Sequence, residues 1–254
     1  MQNAFDLHGQ CVLVTGGTRG IGRAVSLQLA QAGAVVVANY ARNDGAAQAL
    51  AEHAAASGLA LEVLRADLTL AKGLTTIDER LAGVAAGKTL SIVHCAATGV
   101  HRKAEELTLK QWDWTQALNV RAFFELVRGL LPRLSSGSAI VAVSSAGAQR
   151  AVPSYAAVGS SKAALEALAR HLAVELAPRG IRVNVLRPGS VATDAWDAFP
   201  DKEQRIAEAT QRTPIGRLVR LDEVAHAAQF LCSAAACGIV GHTLVVDGGR
   251  SIVE

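Results

Sequence analysis

The strongest constraint on this chain is its alternation of short β-branched runs with longer Ala/Leu-rich stretches. Candidate strands cover residues 11–15, 35–38, 61–66, 90–95, 139–143, 181–186 and 244–246. Candidate helices cover residues 21–32, 45–57, 75–84, 110–134, 155–177, 202–211 and 222–232. When a helix separates successive strands, each strand re-enters the sheet in the same direction, so a parallel sheet with helices on both faces is predicted. Half of the 254 residues are hydrophobic and 19% are charged, enough to fill one core and too apolar for disorder. No linker, repeat or low-complexity segment interrupts the pattern, so residues 1–254 read as a single α/β domain, a doubly wound sheet of about seven strands.

Composition excludes several partners. A net charge of +3 gives no electrostatic footprint for nucleic acid. No apolar run reaches the roughly 18 residues of a membrane span, and residues 1–10 lack a signal-peptide pattern. Cys11, Cys95, Cys232 and Cys237 have no CxxC spacing and read as buried, reduced thiols of a cytoplasmic protein. His94, His101 and His242 lack ligand spacing, so no metal is expected.

The first strand runs into Thr15-Gly16-Gly17-Thr18-Arg19-Gly20-Ile21-Gly22 and then a helix. Glycines allow close backbone approach to a pyrophosphate, and the helix N-terminus offers free N–H groups, so this is a dinucleotide loop of TGxxxGxG spacing on a Rossmann fold. Strand two ends in Ala38-Asn39-Tyr40-Ala41-Arg42, with no acid before Asp44. A carboxylate there would receive a free ribose 2′-OH; Arg42 and Arg19 instead suit a 2′-phosphate, unless both are solvated surface residues. NADPH is the expected cofactor. Asp67 follows strand three, placed to accept from the adenine amino group or to cap the next turn.

Six residues separate Tyr155 from Lys162, and many nicotinamide-dependent oxidoreductases separate these types by three. The closer slot holds Val158, which has no proton to give. On a helix both positions return to the face of Lys162, with Tyr155 about 4.5 Å nearer the N-terminus. Ser145 lies thirteen residues before Val158 but only ten before Tyr155, so the serine is retained while the tyrosine has moved. In a 2-enoyl thioester, hydride goes to C3 while charge develops on the thioester oxygen two carbons away, which calls for a more distant oxygen partner. Ser145 either assists or caps the next turn, and Asn119 is either a relay or a helix-kink residue. Residues 194–220, with Trp196, Phe199 and Ile206, read as a substrate lid or as plain surface helices. Lys202, Arg205, Arg212, Arg217 and Arg220 are matched there by Asp194, Asp197, Asp201, Glu203 and Glu208.

With Ser144-Ser145, Asn119, the Tyr155/Lys162 helix, Arg187-Pro188-Gly189 with Thr193, and Asp247-Gly248-Gly249, the chain resembles the short-chain dehydrogenase/reductase family over nearly its whole length. The six-residue spacing, residues 150–155 and residues 158–166 narrow the resemblance to enoyl-acyl-carrier-protein reductases. Asn39-Tyr40-Ala41-Arg42, Trp112-Asp113-Trp114-Thr115 and Asp247-Gly248-Gly249-Arg250-Ser251 look most like the NADPH-dependent FabL type. A departure is His94-Cys95-Ala96-Ala97, where the family has Asn-Asn-Ala-Gly or Asn-Asn-Ala-Ala. The resemblance implies that Tyr155 and Ser145 bind the substrate oxygen, and that Lys162 holds the nicotinamide ribose and lowers the tyrosine pKa. It also implies that Tyr40, Leu68 and Ala96 contact cofactor, and that Pro188, Gly189, Val191 and Thr193 face the nicotinamide amide. The implied substrate is an acyl-carrier-protein or coenzyme A thioester of fatty acid synthesis, and the implied assembly is a homo-oligomer, most simply a tetramer, through the helices bearing Phe123, Phe124, Leu126, Leu168 and Leu172. A carbonyl or 3-oxoacyl reductase and a non-enzymatic dinucleotide sensor are the alternatives.

Overall fold

A computed structural model describes residues 3–193, 196 and 201–253. Seven strands form one sheet in the order β3-β2-β1-β4-β5-β6-β7: β1 (Gln10–Thr15), β2 (Val35–Tyr40), β3 (Leu61–Arg65), β4 (Thr89–His94), β5 (Ala139–Val143), β6 (Arg182–Pro188) and β7 (Thr243–Val246). Every neighbouring pair is parallel. Side chains alternate along β1: Cys11 and Leu13 enter one core with Phe123 and Leu165, while Val12 and Val14 enter the other with Val25 and Leu231. Burial on both faces explains why the strands read as continuous apolar runs.

Helices α1 (Gly20–Gln31) and α8 (Leu221–Cys232) cover one face. The other is covered by α3 (Ala71–Val84), α5 (Ala122–Leu130) and α6 (Ala156–Leu176). The remaining helices are α2 (Asp44–Ala56), α4 (Leu109–Gln116) and α7 (Lys202–Gln211). Strand order reverses between β1 and β4, which opens a crevice at the carboxyl ends of the strands, where ligands of such sheets bind.

The structure corrects three sequence expectations. Residues 110–134 are not one helix: α4 passes through a π-turn at Ala117–Arg121 into α5, and a 3-10 turn at Leu131–Arg133 follows, where Pro132 has no N–H to continue the ladder. Tyr155 is not inside α6 but is its N-cap residue (φ −120°, ψ 13°), so the helical rise does not set its position. The turn before it contains Ser154 at φ +59°, the one non-glycine with positive φ among the described residues. Lastly, Phe123, Leu126 and Leu172 point into the core and Leu168 packs against it, which leaves Leu109, Trp112, Trp114, Phe124 and Val174 as the large exposed apolar residues of α4, α5 and α6. All four cysteines are free; Cys11 and Cys232 are buried, Cys95 is half-buried and Cys237 is exposed. Among the described residues no helix is long and apolar enough to cross a membrane, and no group of side chains could hold a metal.

Candidate active site

The crevice is a cleft of about 560 Å³ whose wall contains Gly16, Thr18, Arg19, Gly20, Ile21, Gly22, Tyr40, Arg42, Asp67, Leu68, Ala96 and Thr193, twelve of the cofactor positions expected from sequence. The glycines are required there. A Cβ on Gly16, which has φ +61°, would lie 2.9 Å from Ala96 Cα, and one on Gly22 would collide with the Gly16 carbonyl. Gly17 N–H donates to Asn39 O (2.9 Å), tying the loop to β2. Arg19 caps α1 without a side-chain hydrogen bond, so the first N–H groups of α1 face the cleft as an anion site. A cradle that no side chain can fill, ending on a helix N-terminus, fits a dinucleotide pyrophosphate. Asp67 spends Oδ1 on Thr69 N–H (2.9 Å) and the Thr69 hydroxyl (2.6 Å), which hold its pKa below the usual carboxylate range. Pro188 ends β6, Gly189 donates to Val246 O, and Val191 bridges to Val219 with its side chain in the core. These three shape the segment before Thr193 and do not line the cleft.

The end of β5 sorts the reactive side chains. Three consecutive residues each meet a different part of α6 or its cap. Val143 O accepts from Lys162 Nζ (2.7 Å), the Ser144 hydroxyl donates to Glu166 Oε1 (2.6 Å), and the Ser145 hydroxyl faces Tyr155. Glu166 also pairs with Arg187, whose Nε lies 2.8 Å from Oε1, in a buried ion pair one turn beyond Lys162. Burial lowers the Lys162 pKa to about 8, partly opposed by Cys95 and Glu166. Burial raises the Tyr155 pKa, and only the nearby Ser145 hydroxyl pulls it down. The two hydroxyls are close without the geometry of a formed hydrogen bond, and Ser145 Oγ is buried with none.

Val158 fills the slot that a tyrosine occupies at the closer spacing. It is buried, and Gly99 (φ +151°) lies over it so tightly that a Cβ there would collide with Val158 Cγ2. Tyr155 lies instead against Gly147, where a Cβ would sit 2.5 Å from its Cε1, and its ring packs on His101 at 5.1 Å between centroids. It forms part of the wall of a second cavity of about 510 Å³. Gly99 and His101 were not legible in the sequence, because only the folded loop after β4 brings them to the tyrosine. Glu166 had a usable signal: a carboxylate four residues after Lys162 shares its helix face.

Asn119 sits in the π-turn, fully buried. It accepts from Thr98 N–H (2.8 Å) and donates to Thr98 O (2.9 Å) and the Ser161 hydroxyl (2.9 Å), fixing the loop that carries Gly99 to α6. His94, the departure from the family pattern, bonds through Nδ1 to the Thr15 hydroxyl (2.9 Å) on the neighbouring strand. Burial, with the Lys162 cation nearby, pushes its pKa down to about 3, so it stays neutral and structural. Of the residues expected to form a lid, Asp194, Asp197 and Phe199 lie outside the described residues. Trp196 donates to Val191 O (2.8 Å), and α7 carries Ile206 half-buried.

Comparison with known proteins agrees with this architecture. A family model described as enoyl-(acyl carrier protein) reductase matches residues 16–251. The chain is 36% identical to 1-cyclohexenylcarbonyl-CoA reductase of Streptomyces collinus, over 96% of this chain and 88% of that one. It is 33% identical to 7alpha-hydroxysteroid dehydrogenase of Escherichia coli (strain K12), over 96% and 94%. A gluconate 5-dehydrogenase from Burkholderia cenocepacia J2315, solved in complex with NADP and tartrate, superposes with a TM-score of 0.89 at 29% identity, covering 99% of this chain and 98% of that one. The loop, the sheet order and these relatives together place the chain in the short-chain dehydrogenase/reductase family, whose members are NAD(P)-dependent oxidoreductases.

Proposed function

We propose that this protein reduces the C2=C3 bond of 2-enoyl thioesters with NADPH, on acyl-carrier-protein or coenzyme A substrates of fatty acid synthesis in the cytoplasm. The observation that carries the reading is the approach of Tyr155 to the unpartnered Ser145 hydroxyl while Val158, sealed by Gly99, closes the nearer tyrosine slot. NADPH over NADH is supported by Arg19 and Arg42 on the cleft wall and by the absence of an acid at the end of β2; Asp44, the nearest, pairs with Arg65. The S. collinus relative, by its name a reductase of an unsaturated acyl-CoA, supports the substrate class.

NADPH, when bound, supplies hydride. The chain's own residues do the rest. Gly16, Thr18, Gly20, Ile21 and Gly22 hold the pyrophosphate, Asp67 keeps Oδ2 for the adenine amino group, and Tyr40, Leu68 and Ala96 contact the adenosine and its ribose. Thr193, set by Pro188, Gly189 and Val191, meets the carboxamide. Lys162 keeps one N–H on Val143 O and has two left for ribose hydroxyls. Tyr155, protonated because burial raises its pKa, donates to the thioester oxygen as charge develops there, with the Ser145 hydroxyl as second donor. Asn119 positions the loop over Val158. The exposed Phe124 and Trp112 form the contact of a homo-oligomer, a tetramer in the simplest case, while Trp114 faces the cofactor cleft.

The carbonyl-reductase reading draws on the same pair, since Tyr155 and Ser145 could hold a ketone oxygen, and on the dehydrogenase relatives. NADPH oxidation measured side by side with crotonyl and acetoacetyl thioesters separates the two. A higher kcat/KM on crotonyl is expected, and preference for acetoacetyl refutes the alkene assignment.

A further inference from the structure

The second cavity has a charge pattern that the reaction itself does not use. Arg102, Lys103 and Arg150 lie on its wall against a single acid, Glu105. Arg150 donates to Arg250 O (2.9 Å), and among the described residues none of the three cations makes an ion pair. The lid is different: Arg205, Arg217 and Arg220 are paired with Asp201, Glu223 and Asp222. Arg102, Lys103 and Arg150 thus leave the wall of the cavity that Tyr155 enters with a net positive charge. Tyr155 belongs both to this wall and to the pair that meets the reacting oxygen. The strained Ser154 lies on the same wall, and strain held in place by its surroundings clusters where ligands bind.

We infer that Arg102, Lys103 and Arg150 form a binding site for the phosphate at the end of the substrate's pantetheine arm. This rests on the thioester reading. The thioester oxygen sits at Tyr155, the arm runs along the cavity, and the phosphate meets the cations at its mouth, where Arg102 and Lys103 are exposed and Arg150 is half-buried. Guanidinium groups match phosphate oxygens in a fork, and the lysine adds a point charge. The same phosphate is present in coenzyme A and in the prosthetic arm of a carrier protein.

The test uses the full chain with NADPH and four crotonyl thioesters: of pantetheine, of phosphopantetheine, of coenzyme A and of acyl carrier protein. Wild type is expected to favour phosphopantetheine over pantetheine roughly tenfold in kcat/KM through KM, the effect of one net charged contact. That advantage should shrink with added salt. In Arg102→Ala/Lys103→Ala it should fall to within about twofold, with kcat on the pantetheine thioester unchanged. Arg150→Lys, which keeps the charge, should retain most of it. An advantage shared by coenzyme A and carrier protein identifies the common arm phosphate; one confined to coenzyme A or to the carrier protein overturns it, because the recognised charge then lies on that carrier. A wild-type ratio near one, or a ratio that survives in the double variant, overturns the site. If acetoacetyl thioesters are reduced and crotonyl ones are not, the alkene reading fails, and the same ratios on acetoacetyl substrates still decide the phosphate site. Turnover of neither series overturns both.

Discussion

Lys162 offers a quantitative test of the site, because its charge is held where the fold does not favour it. Its ammonium is buried and its pKa falls from 10.5 to about 8, chiefly by desolvation. A lysine that gives up its proton more easily when folded destabilises the charged native state. Below pH 8 both folded and unfolded chains carry the proton, and the full cost, about 3 kcal/mol, is present. Between pH 8 and 10.5 the unfolded chain binds more protons than the native one, so this contribution to stability rises with pH. By pH 9 roughly 1.4 kcal/mol is recovered. Lys162→Met keeps much of the volume and removes the charge. Urea unfolding at 25 °C without added cofactor, compared between wild type and Lys162→Met from pH 7 to 9, isolates this contribution, since groups common to both cancel. The variant should be more stable than wild type at pH 7, and its advantage should shrink by about 1.4 kcal/mol by pH 9. His94 stays neutral throughout, and the thiols of Cys11, Cys95 and Cys232, raised from 9.0 to about 11, 12 and 12, lower stability as the unfolded thiols ionise towards pH 9 but are common to both proteins and cancel. A stability difference that stays flat over this range would show that Lys162 titrates as an ordinary solvated lysine and that the buried arrangement at Val143 is wrong.

Four further outcomes are expected. Wild type should use NADPH far better than NADH in kcat/KM, and Arg42→Ala should weaken NADPH by about 1.5–3 kcal/mol with little effect on NADH; equal use of both cofactors by wild type would refute the phosphate role. Tyr155→Phe should lower kcat on crotonyl thioester about 10²–10³-fold while leaving NADPH affinity nearly unchanged, and a fully active variant would remove the tyrosine from the mechanism. Val158→Tyr should cost roughly 1–3 kcal/mol in urea unfolding, because the Gly99 backbone leaves no room for a ring, and no gain of acetoacetyl reduction should accompany it. Light scattering at micromolar concentration should return a multiple of the 26.3 kDa chain mass, and the monomer mass would contradict the assembly proposed around Phe124.

What was legible in the sequence follows from the range over which each feature is determined. Strand β5 and helix α7 match the sequence reading residue for residue, since local alternation and periodicity fix them. The dinucleotide cradle was legible for a related reason: Gly16 and Gly22 are needed by backbone collisions within one loop and its neighbouring strand. The reading failed where a distant partner decides the local shape. Residues 110–134 carry continuous helical periodicity, yet the chain passes through a π-turn in which Asn119 bonds both the N–H and the carbonyl of the distant Thr98, which no local pattern records. The sequence pattern starts this helix at Tyr155, one residue before α6 begins, because the turn that precedes it, with Ser154 at positive φ, leaves no local signal. That error matters for the chemistry. The tyrosine does not reach its position by a helical rise of 4.5 Å; it swings in from the turn, seated on Gly147 and His101, to face Ser145. The displaced spacing and the sealed Val158 slot are thus two separate facts, the first visible in the chain and the second only in the fold. The case for alkene reduction depends on the second, because a shifted tyrosine beside an open slot would leave a ketone oxygen room to sit where Val158 now lies under Gly99.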